Sequence, residues 1–197
     1  MADSGAPAAF AFVPEVFVVF AMRPACPDDV PAVAAVITAR SVWMEGQGFA
    51  SWSGVVDDLA GQAAVDGTLM WVLTADERVI GCTTLAGDRP QWGWTPEQAE
   101  QDSFYLFTTC THPDFRHARP GSLMAWWAVD KAAAEGKQFV RRGTTEISLV
   151  RYYARQGFEL VHEVQRKNSL VYLMARRAQR LAGLEALFAA GFVVPVS

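Results

Sequence analysis

The sequence predicts one α/β (α+β) domain with a mixed, mostly antiparallel β-sheet, helices on both faces of that sheet and an extra C-terminal helix. Three observations lead to this prediction. Apolar, β-branched runs alternate with runs of helical period between residues 16 and 175, as in domains that layer helices on a sheet. The polar segment Ala75–Arg78 joins two strand-like runs and fits a hairpin. A later strand leads through a basic loop into a long helix, which is how a crossover connection begins.

The composition is that of a globular protein. A chain of 197 residues with 51% hydrophobic and 19% charged residues can bury the core of one sizeable domain. The formal net charge of −4 argues against a general nucleic-acid-binding protein, which would show a basic stripe. The apolar run from Phe10 to Met22 is too short to cross a bilayer and contains Glu15. We expect a cytoplasmic protein without a membrane or nucleic-acid partner, because the sequence shows neither a signal peptide nor a disulfide pattern.

The segments before the centre of the chain predict a strand, two helices and the hairpin. Residues 1–15 are rich in alanine and proline and are expected to form a flexible leader. Pro27 and the two aspartates after it mark a helix start, because proline fits the first helical turn and acidic side chains favour the positive end of the helix dipole. Residues 41–53 contain two glycines and are expected to be irregular. The predicted elements are a strand at Val16–Met22, helices from Pro27 to about Arg40 and over Val55–Val65, and strands at Leu69–Thr74 and Val79–Leu85.

The segment from Ser103 to Gly136 is the centre of the predicted fold. Ser103–Thr111 is rich in aromatic and β-branched residues and predicts a buried strand, which Pro113 ends. Phe115–Ser122 is a short loop with two arginines and a histidine, and a helix over Leu123–Glu135 follows. This order favours anion binding, because unpaired backbone N–H groups and arginine side chains meet at the helix N-terminus. A solvated basic turn between two core elements would have the same spacing, and the loop matches neither the Walker nor the dinucleotide glycine pattern.

The remaining segments complete the sheet. The long loop from Gly87 to Asp102 contains a predicted helical turn at Pro96–Gln101, and loops of this length in compact domains are usually functional. The later predicted elements are a strand at Gln138–Arg142, a helix at Ser148–Gln156, strands at Phe158–Val164 and Leu170–Ala175, and an amphipathic helix at Leu181–Ala190. We expect the domain to span residues 16–175. Residues 176–197 then form a C-terminal helical extension, which would serve as a capping helix, a dimer contact or a docking surface.

Three segments carry a resemblance to a known family. Arg116 and Gly121 occupy the first and last positions of the pattern R/Q-x-x-G-x-G/A, and Arg119 stands in place of its middle glycine. The segment at residues 22–29 reads MRPACPDD, and the segment at residues 149–158 reads LVRYYARQGF. In this order they resemble the acyl-CoA loop, the opening and the tyrosine-containing ending of the GNAT family of N-acetyltransferases. The resemblance covers most of residues 16–175.

The resemblance implies a GNAT-like domain that uses acetyl-CoA as acyl donor and acetylates a primary amine of a small molecule or peptide by direct attack on the thioester. In the family, backbone groups of the central strand bind the pantetheine arm, and the following loop binds the pyrophosphate. The implied cofactor-binding residues are Thr109, Cys110, Thr111, Arg116, His117, Ala118, Arg119, Pro120, Gly121 and Ser122. Tyr153 stands on the family's tyrosine and is implied to protonate the departing thiolate, with Tyr152 as its rival. Glu146 stands where the family often has an asparagine near the pantetheine.

The residue that deprotonates the amine is left open. The family commonly places a glutamate on the central strand, where this chain has Tyr105 and Phe107. A water relay, Asp102 or Glu100 are the candidates in its place. The missing glutamate and the replaced glycine also fit a second reading, in which a domain of this fold binds acyl-CoA without turnover, as a sensor or partner-binding module.

Aromatic residues are the candidate contacts of the acceptor. Trp43, Trp94 and Tyr105 would line a site for a small amine of apolar or aromatic character, and the alternative is that the tryptophans close the ends of the core. The three cysteines and three histidines lack the spacing of a metal site, so no metal is expected. Cys82 and Cys110 lie in apolar runs and are expected to be buried free thiols. The expected partner is the amine substrate, and a homodimer is one option for assembly.

Overall fold

The structure, a computed structural model, describes residues 16–65, 70–87, 92–189 and 192–194. Within these residues the strands are β1 (Val16–Val18), β2 (Phe20–Pro24), β3 (Met70–Ala75), β4 (Arg78–Ala86), β5 (Ser103–Thr111), β6 (Phe139–Thr144), β7 (Glu159–Arg166), β8 (Ser169–Arg177) and β9 (Phe192–Val194). The helices are α1 (Val30–Gly46), α2 (Val56–Gly61), α3 (Pro96–Glu100), α4 (Pro120–Ala134), α5 (Ile147–Ala154) and α6 (Leu184–Ala189). Short 3-10 helices lie at Pro27–Asp29, Ser53–Val55, Gln62–Ala64 and Pro113–Ala118.

The main sheet is mixed and mostly antiparallel. Its strands lie in the order β2-β3-β4-β5-β6-β8-β7, and each neighbouring pair is antiparallel except β5 and β6. The helix α4 joins this parallel pair, because parallel strands need a crossover. The predicted hairpin is present, and Asp76 at its tip takes the left-handed conformation (φ 53°) that two-residue turns favour. The topology confirms the predicted fold class, and β5 has the predicted bounds.

Helices cover both faces of the sheet and bury two layers of apolar side chains. The layer under α4 and α5 includes Phe104, Leu106, Ala125, Ala128, Val140 and Tyr153. The layer under α1 and α2 includes Val33, Val36, Ile37, Ala60, Val72, Cys82 and Cys110. Along β5, Phe104 and Leu106 point to the first layer and Tyr105 points to the opposite face, as the period of two in a strand requires. Cys110 reaches the second layer although it also has an even number, because the register of β5 shifts by one residue between Phe107 and Cys110. The predicted buried free thiols, Cys82 and Cys110, are confirmed.

The first strand is interrupted, which corrects the continuous strand predicted at Val16–Met22. Val19 bonds to the tip of the β3–β4 hairpin: its N–H donates to the Asp76 carboxylate at 3.0 Å, and its carbonyl accepts the Asp76 N–H at 2.7 Å. After this break β2 joins the main sheet beside β3, whereas β1 pairs with β9 in a separate two-stranded sheet. The sequence pattern had not indicated β9.

Two predicted boundaries near the site are also wrong. The helix α1 continues past Arg40 to Gly46, so Trp43 lies on a helix and not in an irregular segment. It ends there because Gly48 follows in the left-handed conformation (φ 76°), a common stop for helices. The predicted loop at Phe115–Ser122 is largely helical, with a 3-10 segment up to Ala118 and α4 starting at Pro120. Proline at the first turn suits a helix start, since its N–H is not needed there.

The C-terminal helix α6 lies within its predicted bounds and packs on the domain. Phe188 contacts the core layer that contains Leu123 and Met124 of α4. This contact fits the capping-helix alternative. The division at residue 175 and the leader at residues 1–15 stay predictions, and the leader lies outside the described residues.

Candidate functional site

The central strand β5 carries an irregularity in the middle of the sheet. Cys82 of β4 pairs with Cys110, but Thr84, two residues later, pairs with Phe107. The strand β5 therefore holds one extra residue between these pairs, which is a β-bulge. Thr108 lies at the bulge with φ 41°, in the left-handed region that β-branched residues rarely adopt. Its hydroxyl donates to the Gln62 side-chain oxygen at 3.3 Å, which helps to hold this conformation.

An opening between β5 and β6 begins beside the bulge. The two strands pair only over Ser103–Tyr105 and Phe139–Arg141. Beyond this point β6 continues beside β8, and β5 continues beside β4 as far as Thr111. No strand among the described residues fills the space between them. The opening therefore exposes the side of the β5 backbone that carries the predicted contacts Thr109, Cys110 and Thr111.

The N-terminus of α4 lies at the end of β5 and carries the predicted basic cluster. The side chains of Arg116, His117 and Arg119 are exposed, and none of them forms an ion pair within the described part of the chain. Cations near a helix N-terminus are unfavourable, because that end of the helix dipole is positive. An anion bound at this place would interact favourably with both the helix and the side chains. Ala118, Pro120 and Ser122 are buried and anchor the segment.

Arg119 connects the 3-10 helix to α4 in a left-handed conformation (φ 52°, ψ 48°). Its N–H donates to the Arg116 carbonyl at 3.1 Å, and its carbonyl accepts the Ser122 N–H at 2.9 Å. A left-handed conformation costs an L-residue about 1–2 kcal/mol and costs glycine almost nothing. The backbone at this position thus explains why a glycine is preferred in the resembling pattern. It also leaves the arginine side chain exposed at the basic cluster.

Gly121 and Ser122 fasten the first turn of α4 to α5. The hydroxyl of Tyr152 lies so close to Gly121 that a Cβ at position 121 would overlap it. The side-chain amide of Gln156 donates to the Ser122 hydroxyl at 3.4 Å, and both side chains are buried. A side chain at position 121 would therefore displace the Tyr152 hydroxyl from the first turn of α4.

Tyr153, the predicted acid, is buried between α5 and the sheet, with 7% of its surface exposed. The guanidinium carbon of Arg142 lies 3.4 Å from the centroid of its ring. Burial raises the pKa of the Tyr153 phenol above its ordinary value, and the charge of Arg142 opposes that increase. Tyr153 is therefore protonated at neutral pH, as an acid must be. Tyr152 is more exposed and touches α4 instead.

The three predicted contacts on β5 differ in their surroundings. Thr109 shares a hydrogen bond with the Thr83 hydroxyl at 2.9 Å. The thiol of Cys110 is buried, and burial raises its pKa to about 12, so it is no nucleophile at neutral pH. Arg40 of α1 donates to the Thr111 carbonyl at 2.8 Å and also contacts the Thr111 hydroxyl. These side chains are thus bonded within the protein or buried, and a ligand in the opening would meet mainly the backbone of this segment.

The predicted acceptor contacts are only partly brought together. Trp94 and Tyr105 pack with Leu173 in one buried cluster on the face opposite α4 and α5. Trp43 is not part of that cluster and lies on α1, where its ring stacks on Phe49 with centroids 6.5 Å apart. Burial raises the pKa of Tyr105 to about 12, so its phenol is a poor base.

The carboxylates proposed as bases lie away from the bulge. Asp102 pairs with the Lys137 ammonium at 3.0 Å, next to the first residue of β5. Thr108 at the bulge follows Asp102 by six positions of extended strand, a distance of about 20 Å. Asp102 is therefore too far away to reach a group bound beside the bulge. Glu100 is exposed at the end of α3.

Sequence reasoning missed two polar residues of this region. Arg142 is 5% exposed and stacks on Tyr153 from the apex of the opening. His162 of β7 lies on the opposite face, with its Nε2 2.7 Å from the Gln98 side-chain oxygen and its ring 5.9 Å from that of Trp94. The available signal for Arg142 was a pair of arginines at the end of a predicted core strand, because charged residues are rare in the core.

The described residues contain neither a metal-binding cluster nor a membrane-spanning helix. No group of three or more His, Cys, Asp and Glu side chains in residues 16–65, 70–87, 92–189 and 192–194 is arranged to hold a metal ion. No helix in this part of the chain is long and apolar enough to cross a membrane.

At the level of sequence, no protein-family model and no curated protein matches the chain. Solved structures do. A GNAT-family acetyltransferase from Listeria monocytogenes matches with a TM-score of 0.61 at 17% identity, over 80% of this chain and 94% of that one. The PaiA N-acetyltransferase from Thermoplasma acidophilum, solved in complex with coenzyme A, matches with a TM-score of 0.56 at 16% identity, over 80% and 98% of the two chains.

A third match is the N-acetylglutamate synthase from Neisseria gonorrhoeae, solved with coenzyme A and N-acetylglutamate. Its TM-score is 0.53 at 20% identity, over 85% of this chain and 36% of that one. Identities this low establish the fold. The chain has the fold of the GNAT acetyltransferases, which confirms the fold that the resemblance implied.

Proposed function

We propose that the protein is an acetyl-CoA-dependent N-acetyltransferase that acetylates a primary amine of a small molecule or peptide. One observation carries the proposal: β5 and β6 separate beyond Tyr105 and Arg141, the basic N-terminus of α4 follows the far end of β5, and Tyr153 lies in the layer between the sheet and α5. An acyl-CoA has the matching order of groups, with a pyrophosphate, a long neutral arm and a thioester. The fold of the CoA-bound acetyltransferases supports the same reading.

The pyrophosphate of acetyl-CoA is assigned to the segment from Arg116 to Ser122. The exposed cations of this segment have no ion-pair partner among the described residues. The negatively charged pyrophosphate would provide that partner. The first turn of α4 adds the positive end of the helix dipole and the N–H of Gly121, since Pro120 has no N–H and the N–H groups of Ser122 and Leu123 donate to the Arg119 carbonyl. Gly121 leaves this turn without a side chain at the point where it meets Tyr152.

The pantetheine arm is assigned to the backbone of Thr109, Cys110 and Thr111. It contains amide groups, which pair with a strand edge as another strand would. The β-bulge at Thr108 turns the edge away from β6 and keeps the two strands from closing on each other. One N–H near the bulge would then donate to the thioester oxygen and stabilise the negative charge that develops on it.

The reaction is direct transfer. The amine nitrogen attacks the thioester carbonyl, a C–N bond forms, and the C–S bond breaks with its electron pair on sulfur. Tyr153 gives its phenolic proton to that sulfur and recovers a proton from solvent. A thiol has an ordinary pKa of about 8.5 and a phenol one of about 10, so the phenol keeps its proton until thiolate forms. The amine proton passes to water, because β5 offers Tyr105 and Phe107 and no carboxylate.

The acceptor is assigned to the face that carries Trp94 and Tyr105. These buried aromatic side chains favour an amine with an apolar or aromatic group beside it. Trp43 stays a more distant candidate, on the exposed side of α1.

Thiol release from acetyl-CoA in the presence of a panel of amines tests the proposal. We expect release that depends on both acetyl-CoA and at least one amine, with the acetylated amine as product. A calorimetric titration with CoA serves as the second arm. CoA binding without release on any amine would favour a non-catalytic acyl-CoA sensor of the same fold. If CoA does not bind at all, the protein is neither an acetyltransferase of this kind nor an acyl-CoA sensor.

A further inference from the structure

Arg142 is a cation in the core of the domain. Only 5% of its surface is exposed. Its guanidinium carbon lies 3.4 Å from the centroid of the Tyr153 ring and 5.8 Å from that of Phe158. It shares a face of β6 with Val140, two residues earlier, which packs in the apolar layer under α4 and α5. An aliphatic side chain would fit these surroundings better.

The charge of Arg142 has no anionic partner in the described residues. None of the ion pairs there involves it, and its Nε has no hydrogen-bond partner. The titratable groups that interact with its charge are the phenols of Tyr152 and Tyr153 on α5, and that of Tyr105, which lies on the opposite face of the sheet. A buried charge without a counter-ion costs several kcal/mol, and an apolar residue of similar volume is often more stable. Stacking on the Tyr153 ring offsets part of this cost, but an aromatic ring is no counter-ion, so the fold leaves the positive charge itself uncompensated.

The position of Arg142 in the sheet suggests what the charge is for. The pairing of β5 with β6 ends at Tyr105 and Arg141, so Arg142 is the first residue of β6 beyond the last pair. It thus stands at the apex of the opening, next to the phenol assigned as acid. A ligand that runs from the α4 N-terminus along β5 would bring its thioester to this apex.

We propose that Arg142 stabilises the thiolate that leaves acetyl-CoA, by placing its positive charge beside the sulfur while Tyr153 delivers the proton. This inference rests on the function proposed above. When the C–S bond breaks, the electron pair stays on sulfur and creates a negative charge in a buried place. The guanidinium is the only cation that the described residues bring to the Tyr153 ring. The same charge stabilises the phenolate that exists between loss and recovery of the Tyr153 proton.

The product of the reaction offers a direct probe, because CoA carries the thiol and desulfo-CoA lacks it. A cation beside the sulfur lowers the pKa of the bound thiol below its ordinary value of about 8.5. CoA should therefore bind more tightly as the pH rises through the lowered pKa, and its advantage over desulfo-CoA should level off above about pH 8.5. We expect that advantage to reach about 10- to 100-fold, the range for a hydrogen bond to a charged group.

The experiment is calorimetric titration of CoA and desulfo-CoA from about pH 6 to about pH 9.5, a range that brackets the thiol pKa. Three proteins are compared: the wild type, Arg142→Leu and Arg142→Lys. Leucine suits the apolar surroundings, and desulfo-CoA binding reports whether the variant keeps its fold. We expect desulfo-CoA to bind all three alike, the thiol advantage to vanish in the leucine variant, and the lysine variant to keep part of it.

Three results would overturn the assignment. A thiol advantage of equal size and equal pH dependence in wild type and leucine variant would show that the charge does not act on sulfur. A loss of turnover confined to acyl donors with a terminal carboxylate, such as succinyl-CoA, would assign the guanidinium to the acyl group instead. Failure of the wild type to bind either ligand would instead refute the proposed function itself, so the two failures are distinguishable.

Discussion

The hydroxyl of Tyr152 lies against Gly121, at the first turn of α4, whereas the ring of the next residue, Tyr153, lies under the guanidinium of Arg142. Adjacent residues of a helix differ in direction by about 100°, so these two phenols serve different places. Tyr152 supports the segment assigned to the pyrophosphate. Tyr153 supports the place assigned to the sulfur. The sequence leaves open which of the two tyrosines is the acid. In the structure they lie at different places, so substitutions at each can test their roles separately.

Gly121→Ala should weaken CoA binding, because the new Cβ would overlap the Tyr152 hydroxyl and force the Tyr152 side chain away from the first turn of α4. Removing the hydroxyl makes room, so we expect the double variant Gly121→Ala/Tyr152→Phe to recover much of the lost affinity. Calorimetric titration of the wild type, both single variants and the double variant gives the coupling energy. Losses that simply add would contradict the contact.

Tyr153→Phe should lower kcat by about tenfold or more, since a positioned general acid contributes about 10²–10⁴-fold. The affinity for acetyl-CoA should stay nearly unchanged, because the aromatic ring and its packing remain. Tyr152→Phe is the matched control and should leave kcat intact. Thiol release under saturating acetyl-CoA measures both. If the two variants exchange their behaviour, or if neither slows release, Tyr153 is not the acid.

Arg116→Ala should weaken the binding of CoA more than that of a pantetheine fragment without phosphates, because its charge is assigned to the pyrophosphate. Arg166→Ala is the control, an exposed arginine on β7 that lies against Trp92. Calorimetry with both ligands separates a charge effect from a general loss of the site. Equal losses for CoA and for the fragment would remove the phosphate role.

Arg119→Gly should reduce the affinity for CoA, and the reduction should be larger at low salt, where screening is weak. The same change should not lower the melting temperature, because glycine adopts the left-handed conformation of this position without strain. Titrations of CoA at two salt concentrations test the change in affinity, and a thermal melt tests the melting temperature. Tighter binding by the glycine variant would mean that the arginine crowds the phosphates, and would favour the sensor reading.

Asp29→Asn should destabilise the fold at neutral pH by about 1–2 kcal/mol. Asp29 accepts two hydrogen bonds from Arg23, at 2.6 and 2.7 Å, and this interaction lowers its pKa to about 2. A lowered pKa contributes stability above the unfolded value of about 3.9, and that stability is lost as the pH falls through about 2. Urea unfolding at several pH values should therefore show the difference between wild type and variant narrowing between about pH 4 and about pH 2. Glu159→Gln is the exposed control, and a difference independent of pH would contradict the ion pair.

The central strand could be predicted to the residue, because Ser103–Thr111 carries a dense aromatic and β-branched run with proline soon after it. The segment at residues 22–29 was known from the sequence only as a resemblance. The structure shows that it is held together by the Arg23–Asp29 ion pair. The first strand was predicted as one piece because its break at Val19 depends on Asp76, a residue more than fifty positions away. Local pattern cannot report such a contact.

The sequence indicated one backbone feature of the candidate site, at position 119, and did not indicate the bulge or the buried arginine. Position 119 was noted as a departure from the glycine pattern, and the left-handed backbone there explains the pattern. The bulge at Thr108 leaves no mark in composition, because the strand pattern continues through it. Arg142 escaped notice because a charged residue at the end of a predicted strand reads as solvent-exposed, whereas its burial depends on how α5 packs on β6.

A crystal structure of the protein with bound CoA tests the central claim most directly. The account predicts the pyrophosphate at Arg116–Ser122, the pantetheine arm in the opening between β5 and β6, and the sulfur beside the Tyr153 hydroxyl. A pyrophosphate bound elsewhere, or a sulfur remote from both Tyr153 and Arg142, would contradict it.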